Sequence, residues 1–279
     1  MLSNSENKGR FFLKDDSLIP SKDFNIHFLY EGVNVYEVIR ITDGIPLFID
    51  DHCARFYASL KGKEINFHCN TDIMKEKVHI LIQANKLTIG NIKIVYHFTD
   101  QRESFLILYP IEYYYPDKEE YKKGVSCALL NEERPDPTLK NWRPAFKEKI
   151  KKLRDLKGVY EIILVSENNI ITEGSQSNLF FVEKNKIITA KAERVLAGIT
   201  RKYVFSICNA NGIEIIERDF KIDDIRGFDC AFLSGTSPKI LPVRYIEDIK
   251  FNPHNFLLSK LMIEYNSLIE KYIWEFKHS

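Results

Sequence analysis

The sequence predicts an α+β protein of two modest domains, and three observations carry that expectation. A chain of 279 residues buries a sizeable core and suits two modest domains or one large one. Its first half shows strand patterns separated by tight polar turns, with two amphipathic helical stretches among them, the layer pattern of helices on one side of an antiparallel sheet. Between two apolar strands lies Tyr113-Tyr-Tyr-Pro-Asp-Lys-Glu-Glu-Tyr-Lys-Lys123, a proline-bearing charge run that reads as a linker. The expected division is a small α+β domain at 1–112, a linker at 113–123 and a larger domain at 124–279.

Each element has its own signal. Residues 1–22 read as a poorly tied arm leading into Phe24–Leu29. Tyr36–Ile41 alternates as a strand does, Asp43-Gly44 is a hairpin turn, and Leu47–Ile49 reads as the returning partner. Asp50 or Asp51 is the expected cap of a helix carrying Cys53, Phe56 and Leu60 on one face. Asp72 is the expected cap of a second, with Met74, Val78, Leu81 and Ile82 inward. Ile92–Phe98 and Phe105–Pro110 are strands joined by the polar turn Thr99–Glu103.

In the second half, strand Val125–Leu130 leads into the polar loop Asn131–Pro137. Pro144 suits the first turn of a helix, Phe146, Ile150 and Leu153 share its face, and Gly158 closes it. Tyr160–Val165, Ile170–Glu173, Leu179–Val182 and Lys186–Thr189 read as strands, with turns at Asn168-Asn169 and Lys184-Asn185. A helix opens at Gly198-Ile-Thr200 and stops at Asn211-Gly212. Ile213–Arg218, Cys230–Leu233 and Ile240–Val243 follow as strands. The stretch after Pro253 is a long amphipathic helix with Phe256, Leu257, Leu261, Ile263, Leu268 and Tyr272.

Composition narrows the function classes. Forty basic residues against 39 acidic ones give no electrostatic case for nucleic acid or an anionic membrane as partner. The five cysteines are scattered and form no C-x-x-C pair, and the seven histidines show no His-Glu-x-x-His spacing, which disfavours a disulfide framework and a zinc site. The first residues lack a basic region followed by an apolar run, and no apolar stretch approaches transmembrane length. The expectation is a cytoplasmic protein.

Chemistry concentrates in the second half. Lys140 stands in a polar loop just before a helix. A lysine is a nucleophile only when desolvation or a neighbouring cation makes it neutral part of the time, and most lysines are solvated surface residues. Glu173 lies between two strands and is followed by Gly174 and the small polar run Ser175–Ser177, which is either a turn or a carboxylate aimed into a cleft. Gly198-Ile-Thr200 at a helix start offers backbone N–H groups and a hydroxyl to an anion, or is a plain cap. Ser234-Gly-Thr-Ser237 is a second anion nest or a turn.

In order, Lys140, Thr172-Glu173-Gly174-Ser175-Gln176-Ser177-Asn178 and Leu196-Ala-Gly-Ile-Thr-Arg201 resemble the fold-type IV pyridoxal-phosphate enzymes. That family groups branched-chain aminotransferases, D-amino-acid aminotransferases and aminodeoxychorismate lyases. Val35-Tyr-Glu-Val-Ile-Arg40, Asp43-Gly44 and Asp51–Ser59 resemble its N-terminal strand, turn and helix, so the resemblance runs from Phe24 to Val243. It implies an N-terminal α/β sandwich, a C-terminal pseudo-barrel with helices that binds pyridoxal 5'-phosphate, and a homodimer.

By the same resemblance, Lys140 carries the cofactor as a Schiff base and Glu173 keeps its ring nitrogen protonated, making the ring an electron sink. Arg55, Ile199, Thr200 and Thr236 contact the phosphate, and Ser177 joins the cofactor contacts. Tyr36, Lys93, His97 and Ser237 fall to the substrate side. Departures concern the substrate. His97 stands where D-amino-acid aminotransferases have a carboxylate-binding arginine, Lys93 where branched-chain enzymes have one, and Ala145 where some of those enzymes have a tyrosine. A lysine at the position of Lys93 is seen in the lyases. The leading expectation is an aminotransferase moving an amino group from an amino acid, with branched-chain ones as candidates, to a 2-oxo acid. The alternatives are 4-amino-4-deoxychorismate lyase, which eliminates pyruvate, and a non-catalytic protein keeping the fold, against which intact Lys140 and Glu173 argue.

Overall fold

Alternating side chains on extended backbone point to opposite faces, and that rule shapes the first sheet. The computed structural model describes residues 6–99 and 104–278. They form two compact units, one of Met1–Tyr114, Leu139–Pro144 and Lys271–Ser279, the other of Tyr115–Thr138 and Ala145–Glu270. The first unit contains β1 (Phe11–Lys14), β2 (Ser17–Pro20), β3 (Val33–Thr42), β4 (Ile45–Pro46), α1 (Ile49–Gly62), α2 (Thr71–Asn85), β5 (Ile89–Phe98) and β6 (Ser104–Ile111). The strands form one antiparallel sheet in the order β2-β1-β6-β5-β3-β4.

One face of this sheet buries Val35, Ile39, Ile92, Ile94 and Leu108 against Cys53, Phe56 and Leu60 of α1 and Met74, Val78 and Leu81 of α2. The other face carries Tyr36, Val95, Ile107 and Tyr109, covered by Phe12, Phe24, Leu29 and Trp142. The register pairs Val38 with Lys93 and Lys93 with Tyr109, so Lys93 lies on this second face too.

Four expectations change here. Residues 11–20 are a β-hairpin on the sheet edge rather than a loose arm; Phe12 and Leu13 supply buried side chains that tie it down, while residues 1–5 lie outside the described residues. Leu47–Ile49 is no strand: β4 ends at Pro46 and α1 begins at Ile49. Its N-cap is Phe48 in left-handed backbone, with Asp50 and Asp51 in the first turn, where they favour the helix dipole. The cap of α2 is Asn70, whose side chain accepts from the Ile73 N–H at 2.9 Å, and Asp72 sits in its first turn. Of the turn expected at Thr99–Glu103, residues 100–103 lie outside the described residues.

The second unit holds α3 (Lys118–Lys123), β7 (Val125–Asn131), α4 (Pro144–Lys157), β8 (Glu161–Val165), β9 (Ile171–Gly174), β10 (Asn178–Glu183) and β11 (Lys186–Thr189). After these come α5 (Ile199–Ala210), β12 (Ile215–Glu217), β13 (Cys230–Gly235), β14 (Lys239–Ile246), β15 (Ile249–Lys250) and α6 (Phe256–His278), whose residues from Lys271 onward count with the first unit. A nine-stranded sheet runs β12-β11-β10-β13-β14-β7-β8-β9, with β15 on β14. It is mixed: β7 is parallel to β8 and β14, and β12 to β11, while the other pairs are antiparallel.

Val165, Leu179, Phe181, Leu233 and Val243 form its core with Phe220, Phe228 and Phe251. Within the stretch read as linker, α3 forms behind a capping box between Asp117 and Glu120. α6 buries Leu258, Leu261, Tyr265 and Ile269 rather than Phe256 and Ile263, which are 84% and 66% exposed. Among the described residues no helix is long and apolar enough to cross a membrane.

Candidate active site

In the first unit the segment holding Lys140 completes the edge of β3. The Tyr36 N–H donates to the Lys140 carbonyl at 3.0 Å, the Trp142 N–H donates to the Asn34 carbonyl at 2.8 Å, and Val35 bridges Asn141. From α1, the Ser59 hydroxyl accepts the Lys140 N–H at 3.2 Å. The end of α1 closes on the preceding residue: a Cβ at Gly62 would lie 2.7 Å from Leu139 Cδ2. The backbone of Lys140 is thus gripped from strand and helix, and its Nζ lies 5.0 Å from the Tyr36 ring centroid.

Glu37 points to the helical face of the sheet and is wholly buried. Arg55 forks it, Nε to Oε1 at 2.7 Å and Nη2 to Oε2 at 2.8 Å, and His52 Nδ1 lies 2.8 Å from Oε2. Burial by itself would raise the proton affinity of this carboxyl. The charges of Arg55 and Lys140 and the hydrogen bonds from His52 and Arg55 outweigh it and hold Glu37 well below the usual carboxylate range. Burial, together with the charges of Arg55 and Lys140, lowers the His52 pKa more than Glu37 raises it. A neutral imidazole facing an ionised carboxylate must carry its proton on Nδ1, so His52 donates. One carboxylate is therefore held ionised between Arg55 and His52 with Lys140 near it.

Lys93 and His97 are both buried, on the face of the sheet that carries Tyr36. Lys93 Nζ sits 3.1 Å from the Trp142 ring centroid and 5.5 Å from that of Tyr36. His97 is enclosed by Phe28 and Phe105, and its Nδ1 lies 3.0 Å from Asn34 Oδ1. Asn34 turns its amide to the carbonyls of Phe28 and Glu31, each at 3.2 Å. His97 thus anchors the turn that covers this face, and Tyr36, Lys93 and Lys140 come together beside it.

The second unit assembles its own polar cluster. Glu173, 2% exposed in β9, accepts on Oε2 from Asn178 Nδ2 at 3.2 Å and from the Leu196 N–H at 3.0 Å, while Arg134 Nη2 lies 3.4 Å from Oε1. The loop after it is strung on Glu161. Glu161 Oε1 accepts from the Ile162 N–H at 2.9 Å and Ser175 Oγ at 2.6 Å; Oε2 accepts from the Gln176 N–H at 3.2 Å and Ser177 Oγ at 2.9 Å. Ser177 is thereby a clamp on this loop.

α5 begins after Gly198, which gives its N-terminus no side-chain cap. Only glycine fits there, since a Cβ would lie 2.0 Å from Asn178 Oδ1. Ile199 and Thr200 are buried in its first turn, with the Thr200 hydroxyl 3.1 Å from that of Tyr265. α5 packs on β13, where the buried Ser234 hydroxyl has no hydrogen-bond partner among the described residues. Thr236 and Ser237 are half-buried in the turn from β13 to β14.

The first unit offers a lysine gripped by its backbone and a buried arginine, and the second a buried carboxylate and a glycine-capped helix start, residue types that suit an aldehyde, a phosphate and a ring nitrogen. The orphaned Ser234 hydroxyl and the start of α5, which no side chain caps, fit an anion. The chain belongs to the amino-transferase class IV family, whose model matches residues 34–246. It is 26% identical over 250 residues to a D-alanine aminotransferase of Bacillus licheniformis (86% of this chain, 87% of the other). Identity is again 26%, over 251 residues, to a putative branched-chain-amino-acid aminotransferase of Methanocaldococcus jannaschii (86% of each). It is 21% identical over 292 residues to an aminodeoxychorismate lyase of Bacillus subtilis (96% and 95%). Its fold matches that of the branched-chain aminotransferase from Thermoproteus uzoniensis with norvaline, at a TM-score of 0.84 and 20% identity over 95% of this chain and 97% of the other.

Motif reading did not single out Glu161, Arg134 or Asn178, and it noted Glu37 without a role. Glu161 carries a readable signal, a carboxylate at the head of an otherwise apolar strand, and Glu37 a weaker one, a carboxylate between Val35 and Ile39 on one face of β3. Arg134 carries none, because loop residues lack a period.

Proposed function

We propose that the protein is a pyridoxal-phosphate-dependent aminotransferase that moves an amino group from an amino acid to a 2-oxo acid. The observation that supports it most is the grip on Lys140, held by β3 and Ser59 beside Arg55 and Tyr36. When bound, the cofactor supplies the electron sink. Lys140 binds it and moves the substrate proton at Nζ, and Glu173 holds the proton at the ring nitrogen. Arg55, Ile199, Thr200 and Thr236 take the phosphate, and Ser177 keeps the loop of Glu173 in shape. Tyr36, Lys93, His97 and Ser237 stand on the substrate side, and the working form is a cytoplasmic homodimer.

A second reading, 4-amino-4-deoxychorismate lyase, is favoured by Lys93 in place of arginine. Visible absorbance of the purified protein separates the two. Loss of the cofactor band with one L- or D-amino acid, and its return with a 2-oxo acid, is the expected result and names the donor. A band that no donor changes would support the lyase, and a protein that cannot be loaded with cofactor would overturn both.

A further inference from the structure

Lys93 is 1% exposed, and a buried ammonium needs a partner. Its Nζ lies against the face of Trp142, with the Tyr36 and Tyr109 rings at 5.5 and 5.7 Å, an aromatic box that suits a cation. The charge is met by Glu6, from far along the chain: Oε1 lies 2.5 Å from Lys93 Nζ, and Oε2 accepts from the Tyr109 hydroxyl at 3.1 Å. An ammonium and a phenol on the two oxygens of one carboxylate make a carboxylate-binding site, and the protein's own side chain shows what it binds.

Glu6 is placed so that it can leave. Among the described residues the bonds fastening the arm begin one residue later: Asn7 bridges Ile111, the Lys8 N–H donates to the Pro110 carbonyl at 2.8 Å, and the Arg10 and Phe11 N–H groups donate to Asn85 Oδ1 at 2.7 and 3.0 Å. The Glu6 side chain is 22% exposed and bonds only to Lys93 and Tyr109 among the described residues, so it can swing out with those ties intact. The Tyr36 ring lies within 5.5 Å of both Lys93 Nζ and Lys140 Nζ, which puts the box beside the lysine proposed to react.

We propose that Glu6 is a displaceable carboxylate ligand of Lys93 that sets the enzyme's choice of substrate. With Glu6 in place the ammonium is neutralised, and an apolar substrate side chain meets no unpaired cation. A substrate with a second carboxylate takes over Lys93 and Tyr109 and expels Glu6, exchanging one ion pair for another. The inference rests on Lys93 standing on the substrate side, as proposed above.

The test is calorimetric titration of the holoenzyme with glutarate and with 4-methylvalerate, a readout that needs no turnover. Glu6→Gln should bind glutarate about tenfold more tightly than the parent, a gain of about 1.4 kcal/mol, and 4-methylvalerate within about twofold of it. Glu6→Asp, which keeps the charge on a shorter stem and guards against a folding defect, should fall between. In a Lys93→Met background, Glu6→Gln should bring no gain. Equal glutarate affinity in Glu6→Gln and parent, an equal gain for both ligands, or a gain that survives Lys93→Met would each overturn the proposal. The absorbance experiment reports on the aminotransferase reading separately, so either idea can fail alone.

Discussion

Glu37 and His52 are buried together, and both carry less protonation when folded than when unfolded. The unfolded chain binds a proton on His52 once the pH falls below about 6.5, and on Glu37 in the ordinary carboxylate range. The folded chain resists both, so each group stabilises the fold above its unfolded value, and that contribution is lost as pH falls toward its folded value. His52 faces Glu37, Arg55 and Lys140, and burial, aided by the two cations, keeps it neutral. We expect unfolding free energy to drop between pH 7 and pH 5, with a slope of up to about 1.4 kcal/mol per pH unit for each extra proton the unfolded chain binds. His52→Gln should flatten that interval in urea titrations, and an unchanged slope would contradict the assignment. At this scale the sequence speaks through order: Lys140 and Glu173 stand out by the motifs around them. The partners that set their surroundings, Glu37 and Glu161, are lone carboxylates whose roles depend on what packs against them.

The loop from β9 to β10 and the start of α5 depend on contacts that tolerate little change. At Gly198 a methyl group would collide with Asn178 Oδ1, and Asn178 cannot swing away freely because its amide donates to Glu173 Oε2 and the Leu196 carbonyl. Gly198→Ala should cost about 1–3 kcal/mol and weaken pyridoxal-phosphate binding, as read by thermal melting with and without cofactor. At Glu161 a carboxylate meets four donors. In Glu161→Gln the new amide can be accommodated by a rotating serine hydroxyl, Ser175 or Ser177, but leaves the N–H of Ile162 or Gln176 on the same side without an acceptor. The expected cost is about 2 kcal/mol, with faster hydrogen exchange at Gln176 or Ile162; unchanged exchange at both would show that the loop does not hang on Glu161.

Helix and strand bodies were legible because periodicity is local, as β3, α2 and α5 show. Pro144 and Gly198 also marked the starts of α4 and α5, but the starts of α1 and α2 were not legible. Phe48 enters α1 in left-handed backbone, and Asn70 takes the capping place that Asp72 was expected to hold.

At the scale of the molecule, the first unit is built from three separate stretches of chain, and no periodic pattern links residues as distant as Pro46 and Tyr272. The Tyr272 ring packs on Phe48 with centroids 4.9 Å apart. Its hydroxyl accepts the Ile49 N–H at 3.4 Å and donates to the Pro46 carbonyl at 3.3 Å. It thereby supplies the start of α1 with the acceptor that Phe48 lacks. Since α1 also carries His52, Arg55 and Ser59, that cap bears on the whole grip around Glu37 and Lys140. Tyr272→Phe keeps the ring and should cost about 1 kcal/mol. Ending the chain after Glu270 removes ring and hydroxyl together and should cost about 2 kcal/mol, less than for a fully buried aromatic. Of the two tryptophans, this truncation removes Trp274 and leaves Trp142, which covers the Tyr36 face of the first sheet. Its fluorescence should therefore report the unfolding of that unit directly. The midpoint in denaturant should fall in the order parent, Tyr272→Phe, truncation. A truncated chain with the parent's midpoint would mean that α1 starts without help from the end of α6.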